Sequence, residues 1–593
     1  HIKRFNKISF RGPDNFQIIK KDNIYIGHLR LSIIDLDKRS NQPFEKNNCL
    51  IVFNGEIYNY KKIKKELKKY GYSFITKSDT EVLLTAYLHW GEKMLNRLEG
   101  MFAFSIYDRN KKIIFSARDR LGQKPFYYHF KNGNIEICSQ LKPISKNKNI
   151  SIKALSIYYD LGYVPSPYSI YKDVYKLKAG NYLIIDLKKN KLLEKSYWDL
   201  KKSKIDNHIN YNYVKKKVKD LIRNSIDKRL ISDVPLGFFL SSGVDSSLIA
   251  SLLSNKSKKK SNFFTIGFNE KKYDESIISY QISKKLKINQ TIKYFTNEDI
   301  FNEIEKHQQV FDEPFADSTT LPTLLLSKLV KNKISVAITG DAGDESFFGY
   351  NHFKWLRYFN LMTYIPLHIR KIISFLLSKI NKLVNNKRLG FISKIILYKN
   401  NYDFIKSIFL GIETLAKNKD ESWFNDHYEK YLFISNNYFQ SAADLNIKLW
   451  LENDSNVKTD RSSMAYSLEI RSPLIDHKLI EYCRLLPVNY RFDKKLLKDI
   501  LYELDLKKSY FENKKGFSVP IKEWSRSYLK DRILNKLNDE FLNSLPNFNH
   551  IKFKKMIDDH FSYKSDYSYF IWRIFMLSLW FDKNEKSSFT YSK

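Results

Sequence analysis

Short apolar runs dominate the first third of the chain, and helical spacing takes over after it. Ile24 to Asp35, Cys49 to Phe53 and Ile113 to Asp119 each read as a strand. A helix from Thr80 to Trp90 lies between them, with apolar residues at 83, 84, 87 and 88. Strands flanked by helices without regular βαβ alternation predict an α+β layered domain over residues 1–200. The polar stretch from Leu187 to Asn212, rich in Lys and Asn, reads as the linker.

Beyond it, Val214, Val218, Leu221, Ile222, Ile226 and Leu230 keep the spacing of one helix face. The apolar runs Pro235–Leu240, Phe263–Phe268 and Ile334–Thr339 then alternate with helical stretches. That alternation predicts an α/β domain with a parallel sheet over 213–535. Such sheets bind ligands at the carboxyl ends of their strands, so the loops after Leu240, Phe268 and Thr339 are expected to converge. Residues 355–440 read as helical, aromatic and Lys-rich, and 536–593 as a helical extension; neither carries a chemical motif. The run Phe570–Phe581 contains Arg573 and is too short for a membrane span, which predicts a buried helix.

Composition narrows the class. At 593 residues the chain needs two or more cores. Cys49, Cys138 and Cys483 are far apart and form no CxxC pair. This argues against a disulfide framework or a zinc site and suits a reducing, cytoplasmic location. The start does not read as a signal peptide. The formal charge of +38 invites a nucleic-acid reading, but the lysines are spread over the whole chain alongside Ile, Asn, Tyr and Phe. Neither a nucleic acid nor a membrane is therefore expected as a partner.

Four segments carry candidate chemistry. Leu240, Ser241, Ser242, Gly243, Val244, Asp245, Ser246 and Ser247 form a small polar loop between a buried strand and a helix. Its hydroxyls and N–H groups suit an anion at the helix N-terminus, and Asp245 can hold a cation. No Gly-Lys-Ser/Thr follows, so it is not the Walker loop. Thr339-Gly340-Asp341-Ala342-Gly343-Asp344-Glu345 places three carboxylates directly after a buried strand, a donor set suited to Mg²⁺ beside phosphates. Asp460 to His477 is dense in Arg and carboxylate, and Arg461 and Arg471 suit recognition of an amino acid bearing both charges; a surface ion-pair network fits that segment equally. Lys514-Lys515-Gly516-Phe517-Ser518-Val519-Pro520 offers a lysine to neutralise developing charge.

Together these segments resemble the glutamine-hydrolysing asparagine synthases. The match runs in order through Leu240–Ser247, Phe264–Phe268, Asp312-Glu313-Pro314, Gly340–Gly349, Asp460–His477 and Lys514–Pro520. The resemblance implies an ATP-pyrophosphatase (adenine-nucleotide α-hydrolase-like) fold for the second domain. It implies ATP on the Ser-rich loop, with Leu240, Ile266, Thr339 and Gly340 lining the site, and Mg²⁺ on Asp245 and Asp344. Asp341 takes the place of an acidic residue that assists ammonia attack, and Lys514 or Lys515 that of a lysine near the intermediate. Aspartate, held by Arg461 and Arg471, would be activated as β-aspartyl-AMP with release of pyrophosphate, and ammonia would displace AMP to give asparagine. Adenylation is needed because a carboxylate is a poor electrophile.

The first domain resembles the glutaminase half of the same family, a class II glutamine amidotransferase of the N-terminal-nucleophile type. Arg11-Gly12-Pro13-Asp14 matches its early turn, and Arg30 its clamp on the glutamine carboxylate. Asn54 and Gly55 match its oxyanion hole, and Glu56 and Asp79 its partners for the glutamine amine. On its own, Asn-Gly after a strand reads as a hairpin turn; the ordered company of Arg30 and Asp79 favours the oxyanion hole. The family's nucleophile is an N-terminal cysteine. This sequence begins His1-Ile2-Lys3 with no cysteine before Cys49, so the expectation is synthesis from free ammonia, with glutamine the donor in a complete protein. The expected partners are thus aspartate, ATP and glutamine or ammonia, with a homodimer as one expected arrangement. Two other readings stand beside this one: the same chemistry on another carboxylate, such as a sugar acid of a surface polysaccharide or a β-lactam precursor, and a non-catalytic nucleotide-binding homologue.

Overall fold

The computed structural model describes residues 1–144, 149–253, 261–270, 272–384, 387–511 and 519–584. Among them, the strands are β1 (Asn15–Lys21), β2 (Ile24–Arg30), β3 (Phe44–Lys46), β4 (Cys49–Ile57), β5 (Gly100–Asp108), β6 (Ile113–Arg118), β7 (Tyr127–Lys131), β8 (Asn134–Cys138), β9 (Val174–Lys176), β10 (Asn181–Asp186), β11 (Lys191–Ser196), β12 (Leu236–Phe239), β13 (Asn262–Phe268), β14 (Asn289–Phe295), β15 (Val336–Ile338) and β16 (Glu469–Arg471).

The first eleven strands build the α+β body. A six-stranded sheet runs β11-β10-β6-β5-β4-β3, antiparallel throughout. The helices Tyr60–Lys69 and Asp79–Trp90 share its core, with Val82, Leu83, Phe102, Phe104 and Phe115 among the buried residues. The second helix starts sharply because the Ser78 side chain accepts the Thr80 N–H. β1 and β2 form a separate hairpin, and β8-β7-β9 a three-stranded sheet. Two boundaries differ from the periodicity. The extended run from Ile24 stops pairing at Arg30, and the stretch read as linker contains β11. β11 is an edge strand on which Leu192 and Leu193 sit among lysines and a glutamate, and that charge disguises it.

The second body is the α/β layer. Its five strands are all parallel, in the order β14-β13-β12-β15-β16. The chain moves outward from β12 through β13 to β14, then returns to β15 on the other side. The order of connection therefore reverses between β12 and β15, and ligands of open α/β sheets bind at such a switch point. The loops Leu240–Gly243 and Thr339–Ala342 follow these two strands. A long helical excursion separates β15 from β16.

The helix Ser568–Asn584 does not stand apart as an extension. Ile571, Trp572, Phe575 and Trp580 share one core with Tyr158 and Tyr159 of the first body and Ile266 of the second. Among the described residues no helix is long and apolar enough to cross a membrane, and all three cysteines are free thiols.

Candidate active sites and the interface between them

Leu240 leaves the parallel sheet still tied to it: its N–H donates to the Phe264 carbonyl, and its own carbonyl accepts from Thr265 Oγ1 at 2.6 Å. The serines then knot the loop. Ser241 and Ser246 hydroxyls lie 2.9 Å apart, the Ser241 N–H donates to Ser246 Oγ, and the Gly243 N–H donates to Ser241 Oγ at 3.0 Å. The helix Val244–Leu252 starts from that knot with Asp245 in its first turn. Thus Ser241 and Ser246 shape the loop itself, a positioning task beyond their expected contact with phosphate.

The loop after β15 closes on the same place. Thr339 Oγ1 donates to Asp341 Oδ2 at 2.6 Å and contacts Ser472 Oγ at 2.8 Å, just beyond β16. A Cβ on Gly340 would fall 2.5 Å from the Ser246 nitrogen, so only glycine lets the two loops touch. Asp245 and Asp344 converge on one cation, Lys494, whose Nζ lies 2.5 Å from Asp245 Oδ2 and 2.8 Å from Asp344 Oδ1. Burial alone would lower the Lys494 pKa, but the two carboxylates outweigh it and raise it. Side chains at Gly343 and Gly349 would overlap Asp245 and the Asp344–Lys494 pair respectively. Two carboxylates within reach of one cation, beside a loop shaped for phosphate, fit the sparse protein ligation that Mg²⁺ takes when phosphates supply the rest.

Sequence reasoning missed Lys494 as a site residue, and it gave no role to Gly343 or Gly349, which lie in the segments it singled out. It also missed Lys458: burial works against its charge, yet Asp317, Asp341 and Asp454 push it up to about 12. Ile266 is buried in β13, at 6% exposure, and shares the core of the C-terminal helix. Lys514, Lys515 and the rest of that motif up to Ser518 lie outside the described residues.

On the amidotransferase side, Asn54 and Gly55 sit within β4, paired with Ala103 and Phe102, and not in a hairpin turn. Gly55 has φ 139°, and a side chain there would run into the Met101 carbonyl. Asp79 Oδ2 accepts the Ile57 N–H at 2.9 Å, and burial pushes its carboxyl up to about 6. Arg30 departs from the simple clamp. Its terminal N–H groups are directed at the carbonyls of Ile34, Asp35 and Asp37 and at Asn41 Oδ1, so it organises the loop 34–41. One cleft is lined by Arg30, Asn54, Gly55, Glu56 and Asp79, and it reaches Met464 and Glu469 of the second body.

That reach corrects the expectation for Arg461 and Arg471. Both are buried where the two bodies meet, with their guanidinium groups committed there and not offered to aspartate. Arg471 is 0% exposed; it pairs with Glu56 of the first body at 3.1 Å and with Glu469 at 2.9 Å, and donates to the carbonyls of Arg229 and Ile231. Arg461 pairs with Asp460 and donates to the Ser139 carbonyl at 3.1 Å. Asp460 in turn takes two bonds from Arg11, at 2.8 and 3.0 Å. Burial would raise the Asp460 pKa, but Arg11, with Arg461 and Lys124 behind it, holds it at about 2. Asp312 and Glu313 face the same seam: Asp312 accepts from Gln140 and the Leu141 N–H, and Glu313 from the Tyr127 hydroxyl at 3.0 Å.

Comparison with known proteins agrees with this two-part layout. The asparagine synthase family profile matches residues 217–582, and a glutamine amidotransferase domain profile matches residues 2–198. Asparagine synthetase [glutamine-hydrolyzing] 1 of Bacillus subtilis (strain 168) is 28% identical over 605 residues, covering 98% of this chain and 93% of that protein. Putative asparagine synthetase [glutamine-hydrolyzing] 2 of Methanocaldococcus jannaschii is 36% identical over 429 residues, covering 68% of this chain and 81% of that protein.

Proposed function

The chain belongs to the asparagine synthase family, with a glutamine amidotransferase domain ahead of the synthase domain, and from that premise we propose that it converts aspartate to asparagine through β-aspartyl-AMP. It is a carbon–nitrogen ligase that uses ATP. The observation that carries the reading is the meeting of Asp245, Asp344 and Lys494 at the sheet's switch point, against the serine knot.

In this reading the Ser-rich loop holds the β- and γ-phosphates while the aspartate carboxylate attacks the α-phosphate. Asp245 and Asp344 would hold Mg²⁺, which spreads the phosphate charge and eases departure of pyrophosphate. Lys494, already between the two carboxylates, is placed to meet the same departing charge. Asp341, fixed by Thr339, stands on the acceptor side and takes a proton as ammonia attacks the activated carbonyl. On the donor side, in a complete protein with the family's cysteine nucleophile, Asn54 and Gly55 would stabilise the oxyanion formed when that cysteine attacks glutamine, Asp79 would serve the glutamine amine, and Arg30 would shape the pocket through the loop 34–41. The reaction and the free thiols suit a cytoplasmic location.

The test supplies ATP, magnesium and ammonium with a panel of carboxylates, aspartate included. Aspartate should give AMP, pyrophosphate and asparagine in equal amounts, and Asp245→Asn should slow the release of pyrophosphate by roughly a hundredfold or more. No aspartate-dependent pyrophosphate would overturn the acceptor, and an unchanged Asp245→Asn rate would overturn the metal role.

A further inference from the structure

Residues 346–402 contain ten Lys and Arg and not one Asp or Glu. Within them the helix Leu367–Val384 packs on the helix Lys387–Ile395 with its polarity reversed. Among the described residues its fully buried side chains are polar, with Ile373 and Leu377 only half-buried beside them. Arg370 is buried and donates to the carbonyls of Ile396 and Tyr398 at 3.1 and 2.8 Å, and the buried Ser374 hydroxyl donates to the Ser393 carbonyl at 2.7 Å. Gly390 leaves the room that Asn381 fills. Its outer side is apolar: Ile372, Phe375, Leu376, Ile380, Leu383 and Val384 all face solvent, Leu383 at 87% exposure. Tyr364, in the turn just before the helix, is 81% exposed. A surface helix of a water-soluble domain shows the opposite arrangement, with its apolar stripe turned inward.

We infer that this face lies on an anionic lipid surface. The charge pattern selects that occupant. Glu413 and Asp493, from outside the segment, meet Lys394 and Lys354, but the excess of cations remains, so a second copy would bring a second cationic face against the first, and the two would repel. A lipid surface with negative headgroups accepts the apolar side chains while pairing with the lysines around them. Lys379 lies within that face, one turn from Phe375 and Leu383, its ammonium 4.6 Å from the Phe375 ring centroid, where it can reach up to a negative headgroup. An 18-residue helix is about 27 Å long. Lying flat, it presents one face, apolar but for Lys379, without the length and apolarity a crossing needs. The helix is a different element from the loops after β12 and β15 that carry the chemistry.

The test sediments the full chain with vesicles of phosphatidylcholine alone or mixed with phosphatidylglycerol. The protein should pellet with the mixed vesicles, stay soluble with phosphatidylcholine alone, and release as salt is raised. The triple variant Phe375→Glu, Leu376→Glu, Leu383→Glu should lose vesicle binding by about tenfold or more, while its rate of pyrophosphate release in solution stays that of the parent. Equal pelleting of variant and parent, or no pelleting on anionic vesicles, overturns the inference. So does a dimer in light scattering that the triple variant dissolves, because the face would then belong to a second copy.

Discussion

Lys494 resolves a conflict that the two loops create. Their strands deliver Asp245 and Asp344 to one point, where two carboxylates without a cation would repel. Lys494→Met should therefore lower pyrophosphate release by a hundredfold or more and cost on the order of 2 kcal/mol of stability, a figure moderated by the partial exposure of Asp344. Lys494→Arg should restore most of the stability and little of the rate, read by urea unfolding and a pyrophosphate assay together. The two aspartates were legible in the sequence because each lies in a short polar loop behind an apolar run. Lys494 was not, because it comes far downstream, one among 102 Lys and Arg, with no local pattern to set it apart. Asp79 makes a second prediction at this scale. Burial raises its carboxyl to about 6, while the unfolded chain titrates it near 4. The folded protein holds the extra proton between those values, so the group favours folding below about pH 4, and that contribution is lost as pH rises through 6. Relative to the parent, Asp79→Asn should thus gain about 2–3 kcal/mol of stability between pH 4 and pH 7.5, measured by denaturant titration at each pH.

Among the elements, the three-residue strand β16 does more than its length suggests. Glu469 and Arg471 face the first body, while Ser472, the next residue, touches Thr339 of the nucleotide loop. One short strand therefore borders both the seam and the synthetase site. Arg471→Met should remove about 3–5 kcal/mol, because Glu56, whose carboxyl burial already pushes well up, then loses its cation while Glu469 keeps only Lys124; thermal unfolding with a loss of less than about 1 kcal/mol would contradict the pairing. The sequence showed this segment as charged but not as a strand, since three residues carry no period. Its arginines looked like substrate ligands for the same reason: spacing along a chain does not say which sheet edge a guanidinium meets. β11 was missed through its lysines. The strands β12, β13 and β15 were plain, because parallel strands buried on both faces read as unbroken apolar runs.

For the whole molecule, the order of the two bodies and the character of each were readable from hydrophobic period alone. Their attachment was not. It rests on pairs distant in sequence, such as Arg11 with Asp460, Arg118 with Glu452 and Lys124 with Glu469, and on a C-terminal helix whose core partners come from both bodies. With so much buried charge shared across the seam, the two bodies should unfold in one calorimetric transition, and Arg11→Ala should lower its temperature without splitting it. Resolved transitions for the parent would show that the seam is weaker than its contacts imply. The quartet Glu56, Lys124, Glu469 and Arg471 carries a lesson for engineering. Two acids and two cations, one of each from either body and all buried, balance only as a set. The halves of this chain are thus not interchangeable parts: a chimera that takes its amidotransferase half from one relative and its synthase half from another must carry the quartet matched, or it inherits a buried charge with nowhere to go.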